Sequence, residues 1–353
     1  MRFRLPISMA SHLPLLPRRP PGAPEPWLRE CIFPLGIRHL SGPRRVDVGE
    51  EELVVVCMVR DGAVYLDTFL EHYRQLGASH MVLLDNGSRD ETVDRAAGQP
   101  DVTLLRTHAP YRNHKVIAKR CLVSRYGVSN WVLCVDIDEL FDYPLRHRCP
   151  LPAFLAYLNG GGFSAVVAHL LDMFPRGPLL RAPEPWRQTH RFYDLSSISR
   201  QPYRKKYGER NRTATDRIEV LYGGIRDLRF GVQPMLTKHP LQFPGRGVRF
   251  VNSHNVHGAR VADVSAALLH FKYVEGFTEY AETAVTERSF FRDSLEYRSY
   301  LEALRADPDL DLWSPSAREL HSVDQLANEG FLVVPDTYVQ GLYPAPQGDP
   351  PQA

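Results

Sequence analysis

The feature that most constrains the fold is a repeated alternation of short apolar runs with helical patterns between residues 53 and 135. The first run, Leu53–Met58, is continuous and rich in β-branched residues, which is typical of a strand buried on both faces of a sheet. Apolar residues then recur at helical spacing from Tyr65 to Leu76, and Gly77 suits the C′ position of that helix. The pattern therefore predicts a strand followed by an amphipathic helix.

The same alternation continues along the chain. Further strands are predicted at His80–Leu84, Val102–Arg106 and Trp131–Val135, with helices between them at about residues 88–98 and 115–125. Strands that alternate with helices through short connections indicate a parallel sheet with helices on both faces. We therefore expect an α/β fold with a mostly parallel sheet.

Composition divides the chain into four parts. Residues 1–50 are rich in Pro, Arg and Gly and predict a loosely ordered arm, whereas residues 51–150 carry the α/β alternation. Residues 151–275 are loop-rich and include a basic segment that is either a solvated surface or a phosphate-binding loop. Helices followed by a tail are expected in residues 276–353.

Charge and cysteine content narrow the functional classes. The 43 Lys and Arg against 41 Asp and Glu give a net charge of +2, so we expect no nucleic-acid partner. The five cysteines lack CxxC or CxxxC spacing, which disfavours a disulfide framework or a zinc site and fits a reducing, cytoplasmic compartment. Prolines interrupt the basic N-terminus, which argues against a signal peptide and leaves peripheral contact with the inner membrane face open.

Polar residues follow three of the predicted strands directly. They are Arg60 and Asp61 after the first strand, Asp85 after the second, and Asp136 and Asp138 after the fourth. Ligands of parallel α/β sheets bind outside the carboxyl ends of the strands. We therefore expect these three groups to border one ligand site.

Asp136 and Asp138 carry the sharpest chemical signal. In an extended segment, residues two apart point to the same side, so both carboxylates would face one space while Ile137 points into the core. Two such charges about 4 Å apart repel by roughly 4 kcal/mol at an effective dielectric constant of 20. Mn²⁺ or Mg²⁺ would neutralise them and hold a diphosphate. The alternative is a solvated acidic turn.

The residues after the first two strands each have two interpretations. Asp85 either accepts hydrogen bonds from a nucleobase edge or shapes an Asx turn with Gly87. Arg60 and Asp61 either contact the ligand or cap the following helix. Both interpretations stay open for each of these residues.

Three segments resemble, in order and spacing, the nucleotide-binding half of family 2-type glycosyltransferases of the GT-A fold, especially bacterial enzymes that make surface polysaccharides. The segments are VVVCMVRDGAVYLDTFLEHYRQLG, HMVLLDNGSRDET and WVLCVDIDELFDYP. The resemblance implies a GT-A, Rossmann-like domain in which residues 51–150 bind the nucleotide sugar and residues 151–275 form the acceptor side. It also implies sugar transfer, with inversion, from a UDP-sugar to a glycan or lipid-linked acceptor.

By this resemblance, Asp85 contacts the nucleoside and Asp61 lies beside the nucleotide, while Asp136 and Asp138 bind the metal and the donor diphosphate. The family usually has Asn-Glu where this chain has Arg60 and Asp61. At this position the resemblance therefore does not specify the nucleoside contacts or the identity of the base.

The second half supplies the remaining binding candidates. GT-A enzymes often use a late histidine as a third metal ligand, and His270 is the first candidate, with His254 and His257 next. The alternative for His270 is a strand histidine whose ring nitrogens are hydrogen-bonded within the core. Arg226 and Lys272 are candidates for binding the phosphates of the donor.

An inverting transfer needs a carboxylate that deprotonates the acceptor hydroxyl. Asp172, just after a strand predicted at Phe163–Leu170, is the first candidate, and Asp227 and Asp194 are alternatives. Each of these aspartates could equally be a loop or capping residue.

Two other functional classes fit part of the pattern. A phosphatase of the haloacid-dehalogenase type also places Asp-x-Asp after a buried strand, but no G-D-x-x-x-D acidic pair follows here and three strands precede the motif. A catalytically degenerate GT-A scaffold or glycan-binding module would keep the fold without the reaction. The presence of Asp85, Asp136 and Asp138 argues against that alternative.

Overall fold

A computed structural model describes residues 33–181, 185–287 and 291–342 of the 353-residue chain. Most of the predicted arm and the end of the tail lie outside the described residues. Within this part of the chain, no helix has both the length and the apolar character that a membrane span requires.

The first half alternates strands and helices as the sequence predicts. A 3₁₀ turn at Phe33–Gly36 precedes the elements β1 (Arg38–Ser41), β2 (Leu53–Val59), α1 (Ala63–Leu76), β3 (His80–Asp85), α2 (Thr92–Ala96), β4 (Val102–Arg106), α3 (Tyr111–Tyr126), β5 (Trp131–Val135), β6 (Glu139–Asp142) and α4 (Leu151–Gly160).

The second half has shorter elements and longer connections. Its strands are β7 (Ala165–Asp172), β8 (Phe192–Tyr193), β9 (Ile198–Pro202), β10 (Arg212–Thr213), β11 (Glu219–Gly223), β12 (Thr237–Gln242), β13 (Arg249–Asn252), β14 (Asn255–His257), β15 (Arg260–Val261), β16 (Ala266–His270) and β17 (Arg318–Glu319). Its helices are α5 (Trp186–Thr189), α6 (Tyr203–Tyr207), α7 (Ile225–Phe230), α8 (Phe277–Thr286), α9 (Phe291–Ala306), α10 (Val323–Asn328) and α11 (Asp336–Leu342), with 3₁₀ turns at Leu179–Arg181 and Pro244–Arg246.

One central sheet joins both halves in the order β1-β4-β3-β2-β5-β12-β7-β15-β10, and β16 pairs with β7 and β6 beside this path. The pairs β2–β3, β2–β5, β3–β4, β7–β15, β7–β16 and β10–β15 are parallel. The pairs made by β1, β6 and β12 are antiparallel. The predicted α/β fold with a mostly parallel sheet is confirmed. Strand β1, from the segment predicted as an arm, adds an edge to this sheet.

Helices cover both faces of the sheet, as predicted. All seven residues of β2 are buried, and they alternate between two apolar clusters. Helices α1 and α4 pack in the cluster on one face, and α3 packs in the cluster on the other. A third apolar cluster contains residues of α7, α8 and α9 together with Tyr273. Helices α8 and α9 therefore pack in a cluster separate from those on the two faces of the sheet.

The chain reverses direction directly after β5. The backbone N–H of Glu139 donates to the carbonyl of Asp136 at 3.1 Å, which closes a tight turn before β6 begins. The prediction that Asp136 and Asp138 lie in an extended segment is therefore wrong. Ile137 packs against the edge of the main core.

The register of β16 brings three distant segments together. His270 lies opposite Asp172 of β7 in the parallel pairing and opposite Glu139 of β6 in the antiparallel pairing. Asp172 is the last residue of β7, two residues beyond the predicted end of that strand. The ends of β7 and β16 thus lie next to the turn after β5.

A tyrosine of α1 fixes the start of β6. The Tyr73 hydroxyl donates to the Glu139 carbonyl at 2.8 Å and accepts from the Phe141 N–H at 3.1 Å, and all three groups are buried. Both bonds hold the backbone directly after the acidic turn. The hydroxyl of Tyr126, by contrast, is buried with no hydrogen-bond partner in the described part of the chain.

We expect Tyr73→Phe to lower the free energy of unfolding by about 1–3 kcal/mol, because it leaves buried backbone groups unpaired. The matched control, Tyr126→Phe, removes a hydroxyl that has no partner and should change that free energy much less. Urea denaturation measures both. Equal losses for the two variants would contradict the role assigned to Tyr73.

Candidate functional site

The candidate site lies at the carboxyl ends of the parallel strands. Asp136 follows β5, while Asp172 and His270 end β7 and β16. This is the edge at which ligands of parallel α/β sheets bind. Glu139, at the start of β6, is buried beside them.

Two buried lysines neutralise part of the acidic turn. Lys119 of α3 contacts Asp136 Oδ1, and Lys238 of β12 lies 3.3 Å from Asp136 Oδ2. Lys238 also contacts Glu139. Burial alone would raise the pKa of Asp136, but the two lysine charges lower it well below its usual value. Asp136 is therefore a permanent anion held by the protein's own cations.

Asp138 leads into a chain of alternating charges. The ring of His270 donates from Nε2 to Asp138 Oδ2 at 3.1 Å and from Nδ1 to Asp172 Oδ1 at 2.5 Å. On the other oxygen of Asp172, Arg226 Nε donates at 2.7 Å. Asp172 is 2% exposed, whereas Asp138 is 24% exposed and forms the open end of the chain.

These contacts shift the pKa of each group. Burial would lower the pKa of His270, but Asp138 and Asp172 raise it to about 9. Burial would raise the pKa of Asp172, but Arg226 and His270 lower it to about 2. The pKa of Asp138 is likewise lowered, because the charge and hydrogen bond of His270 outweigh the effect of burial. All three groups are therefore ionised at neutral pH.

The residues fit a divalent metal ion. Asp138, Glu139 and His270 each offer one ligand atom, and these atoms lie within 4.8 Å of one another. Two carboxylates and an imidazole suit Mn²⁺. Asp172 accepts a hydrogen bond from Nδ1 of His270, as carboxylates next to metal-bound histidines do. This bond leaves Nε2 of His270 directed at Asp138. The set differs from the predicted one, because Glu139 joins it while Asp136 binds the lysines.

The charges of this cluster balance without a metal. The turn carries three carboxylates, and Lys119 and Lys238 supply two positive charges. The third positive charge is on the protonated imidazole of His270. A histidine binds a metal ion through its neutral imidazole, so a divalent ion bound here would displace the proton of His270.

Asp85 is engaged in the turn after β3. Its carboxylate accepts from the N–H groups of Gly87 and Ser88, at 3.1 and 2.9 Å, and from Arg106 Nε at 2.7 Å. It is fully buried, which would raise its pKa, but hydrogen bonds from the side chain and backbone of Ser88, from Arg106 and from Gly87 lower it. The Asx-turn alternative describes this geometry, and the nucleoside contact stays a prediction.

Arg60 and Asp61 connect loops. Asp61 Oδ1 accepts from the Arg89 N–H at 2.7 Å, and Arg60 pairs with Glu287 after α8 at 3.3 Å. Neither caps α1, whose first N–H groups are bound by Thr92 and Asp90 instead. The capping alternative is therefore wrong for both residues, and donor contact stays a prediction.

The remaining candidates have partners outside this charge chain. Asp227 accepts from Ser197 Oγ, and Asp194 accepts from the hydroxyls of three serines. The imidazole of His254 bonds the Thr237 carbonyl, and that of His257 lies 3.1 Å from Arg249. Within the described residues, none of the four hydrogen-bonds with Asp138 or His270.

Sequence reasoning missed the two lysines. Lys119 lies on the buried face of α3, which it shares with Leu122, Val123 and Tyr126 at helical spacing. A lysine inside an apolar helical stripe is a usable signal for a buried charge. Lys238 lies in TKHPLQ, a strand that is wholly buried but not apolar, so its sequence offers no such signal.

Comparison with known proteins assigns no family. No protein-family model and no curated protein matches the chain. Among solved structures, glucosyl-3-phosphoglycerate synthase from Mycobacterium tuberculosis, in complex with Mn²⁺, UDP and glucosyl-3-phosphoglycerate, is similar at 16% identity and a TM-score of 0.21. The match covers 38% of this chain and 52% of the synthase, so the chain spans about half the synthase's length. UDP-glucose pyrophosphorylase complexed with UDP-glucose is similar at 8% identity and a TM-score of 0.25, over 82% of this chain and 97% of that one.

At these TM-scores neither likeness supports a function for this chain. The class that the fold and the site define is an α/β protein with a carboxylate–histidine cluster at the carboxyl edge of its sheet. The bacterial surface-polysaccharide subgroup stays a prediction from the sequence.

The raised pKa of His270 predicts a pH-dependent stability. The charged imidazole stabilises the fold fully below its ordinary value of 6.5, and this contribution is lost as the pH rises through about 9. In metal-free buffer, the free energy of unfolding should fall by roughly 3 kcal/mol between pH 6.5 and 9.5 from this group.

Urea denaturation across that range measures the effect. His270→Gln should remove this part of the slope, and His257→Gln, outside the cluster, should keep it. A wild-type slope that persists in His270→Gln would show that other groups cause it.

Proposed function

We propose that this protein is a metal-dependent glycosyltransferase that moves a sugar from a nucleotide-sugar donor to an acceptor hydroxyl. The observation that carries the proposal is the cluster of Asp138, Glu139 and His270 at the carboxyl edge of the sheet, beside two buried lysines. Metal ligands next to fixed cations suit a diphosphate, because both stabilise negative charge on its oxygens.

In this proposal Asp138 and His270, with Glu139 in reach, bind Mn²⁺ or Mg²⁺. Bound there, the ion neutralises the charge that develops on the leaving diphosphate. Lys119 and Lys238 fix the orientation of the acidic turn through Asp136. Contacts of Arg60, Asp61, Asp85 and Asp136 with the donor are part of the same proposal.

Asp172 is better assigned to positioning than to base catalysis. Both of its oxygens are engaged, by His270 and by Arg226, and its pKa of about 2 makes it a poor acceptor for a hydroxyl proton. Its role in this proposal is to hold the His270 ring with Nε2 toward Asp138. Asp227 stays a candidate base.

Several finer features stay predictions from the resemblance. They are inversion, a uridine base, a glycan or lipid-linked acceptor, and a cytoplasmic location with peripheral membrane contact. A non-catalytic nucleotide-sugar-binding or glycan-binding module is the second candidate. It is favoured by the full burial of Asp85 and by the lysines on Asp136.

Nucleotide binding tests the proposal first. UDP with Mn²⁺ should raise the melting temperature, because a ligand at one hundred times its dissociation constant stabilises the native state by about 2.7 kcal/mol. Asp138→Asn should lose the Mn²⁺-dependent part of this shift while keeping its circular dichroism. The control Asp94→Asn, at an exposed position of α2, should behave as the wild type.

Turnover separates the two candidates. The enzyme should release UDP slowly from a UDP-sugar with Mn²⁺ even without an acceptor, and EDTA should stop the release. A module that binds nucleotide sugars without catalysis would give the thermal shift without UDP release. No shift with any nucleoside diphosphate or nucleotide sugar would remove the glycosyltransferase and that module, and would leave a scaffold or glycan-binding module.

A further inference from the structure

Two buried cations converge on one carboxylate oxygen next to the charge chain. Arg226 Nη1 lies 3.0 Å and Lys272 Nζ 3.2 Å from Glu296 Oε1, and the Tyr300 hydroxyl donates to the same oxygen. The side chains of Arg226 and Lys272 are 6% and 9% exposed, whereas that of Glu296 is 32% exposed. The three donors form a cradle for one oxyanion, and its present occupant is more exposed than the two cations.

The cradle offers more donors than Glu296 uses. Arg226 Nη2 is buried, and no acceptor lies within hydrogen-bonding distance of it in the described part of the chain. A buried donor left unpaired costs about 1–3 kcal/mol. A phosphate group has enough oxygens to accept from this nitrogen and from the other donors together, since a guanidinium binds phosphate through two parallel bonds.

The surroundings keep the cations in place if Glu296 leaves. Asp172 is 2% exposed and bound to both His270 and Arg226, so it cannot turn away. Lys272 Nζ lies 4.5 and 4.9 Å from the ring centres of Tyr297 and Tyr300, and these cation–π contacts hold it in place. With Glu296 turned outward, the cradle has excess positive charge.

The cradle belongs to the second half of the chain. Arg226 is on α7, Lys272 follows β16, and Glu296 and Tyr300 are on α9. His270 and Arg226 bind opposite oxygens of Asp172, so this carboxylate separates the cradle from the Asp138 end. The residues of the cradle therefore all come from the half of the chain that the sequence analysis assigns to the acceptor side.

We propose that Arg226, Lys272 and Tyr300 form an anion subsite that binds a phosphate group of the acceptor and that Glu296 occupies in the free protein. Binding of such an acceptor displaces the Glu296 carboxylate. This assigns Arg226 and Lys272 to the acceptor, where the sequence analysis assigns them to the donor. The acceptor part rests on the proposed glycosyltransferase function, whereas the anion binding does not.

Inorganic phosphate tests the subsite without metal or nucleotide. Isothermal titration calorimetry on the full chain should show at least tenfold tighter phosphate binding for Glu296→Gln than for the wild type, because no carboxylate has to be displaced. The matched control Glu302→Gln changes an exposed glutamate of the same helix and should bind phosphate as the wild type does. Equal affinities for all three proteins would overturn the subsite.

Removal of a donor gives the converse result. Lys272→Met in the Glu296→Gln background should weaken phosphate binding at least tenfold, with circular dichroism as the test of folding. Tyr300→Phe in the same background removes only a hydroxyl and should weaken binding about threefold, so it serves where Lys272→Met does not fold. Unchanged affinity in the folded variants would overturn the proposal.

A second titration identifies the source of the phosphate group. With UDP and Mn²⁺ at saturation, Glu296→Gln should bind inorganic phosphate as tightly as without them. Competition would place the subsite on the donor diphosphate and overturn the acceptor assignment. Failure of UDP and Mn²⁺ to bind would remove the glycosyltransferase function and with it the acceptor, while the phosphate result without nucleotide would stand.

Discussion

The site depends on the Asp172 carboxylate, which binds His270 with one oxygen and Arg226 with the other. Breaking a buried ion pair by removing one partner typically costs 3–5 kcal/mol, because the remaining charge is left without compensation. Asp172 thus fixes β7, β16 and α7 relative to one another. It also fixes the tilt of the imidazole toward Asp138 and leaves Nη1 of Arg226 to bind Glu296. The proposed metal ligands and the proposed anion cradle are thus connected through the ion pairs of Asp172.

Ion pairs within the protein explain why the carboxylates of the acidic turn can lie close together without a bound metal ion. The sequence suggests repelling carboxylates that require a metal, but Lys119, Lys238 and protonated His270 balance them. A divalent ion would replace one proton and leave both lysines bound to the turn. Metal binding at this imidazole would therefore compete with its proton.

Much of the fold was predictable because its signals are local. The runs that became β2 to β5 show their burial in consecutive residues, and the helix between β2 and β3 shows it at helical spacing. A turn after β5 was predicted only as an alternative, since an Asp-x-Asp stretch suits a strand end or a reversal equally. The role of Asp172 depends on partners 54 and 98 residues away, brought close by the register of β16.

The attachment of α8 and α9 has a consequence for how such a chain can diversify. These helices pack in an apolar cluster separate from the clusters on the two faces of the sheet. Glu296 and Tyr300 of α9 nevertheless lie at the edge of the site. Under the proposed anion subsite, substitutions in this helical pair would change what binds there while Asp138 and His270 keep their own positions. If the proposed function holds, the residues that select the ligand and those that carry the chemistry lie on separate stretches of the polypeptide, and the first could change while the second are kept.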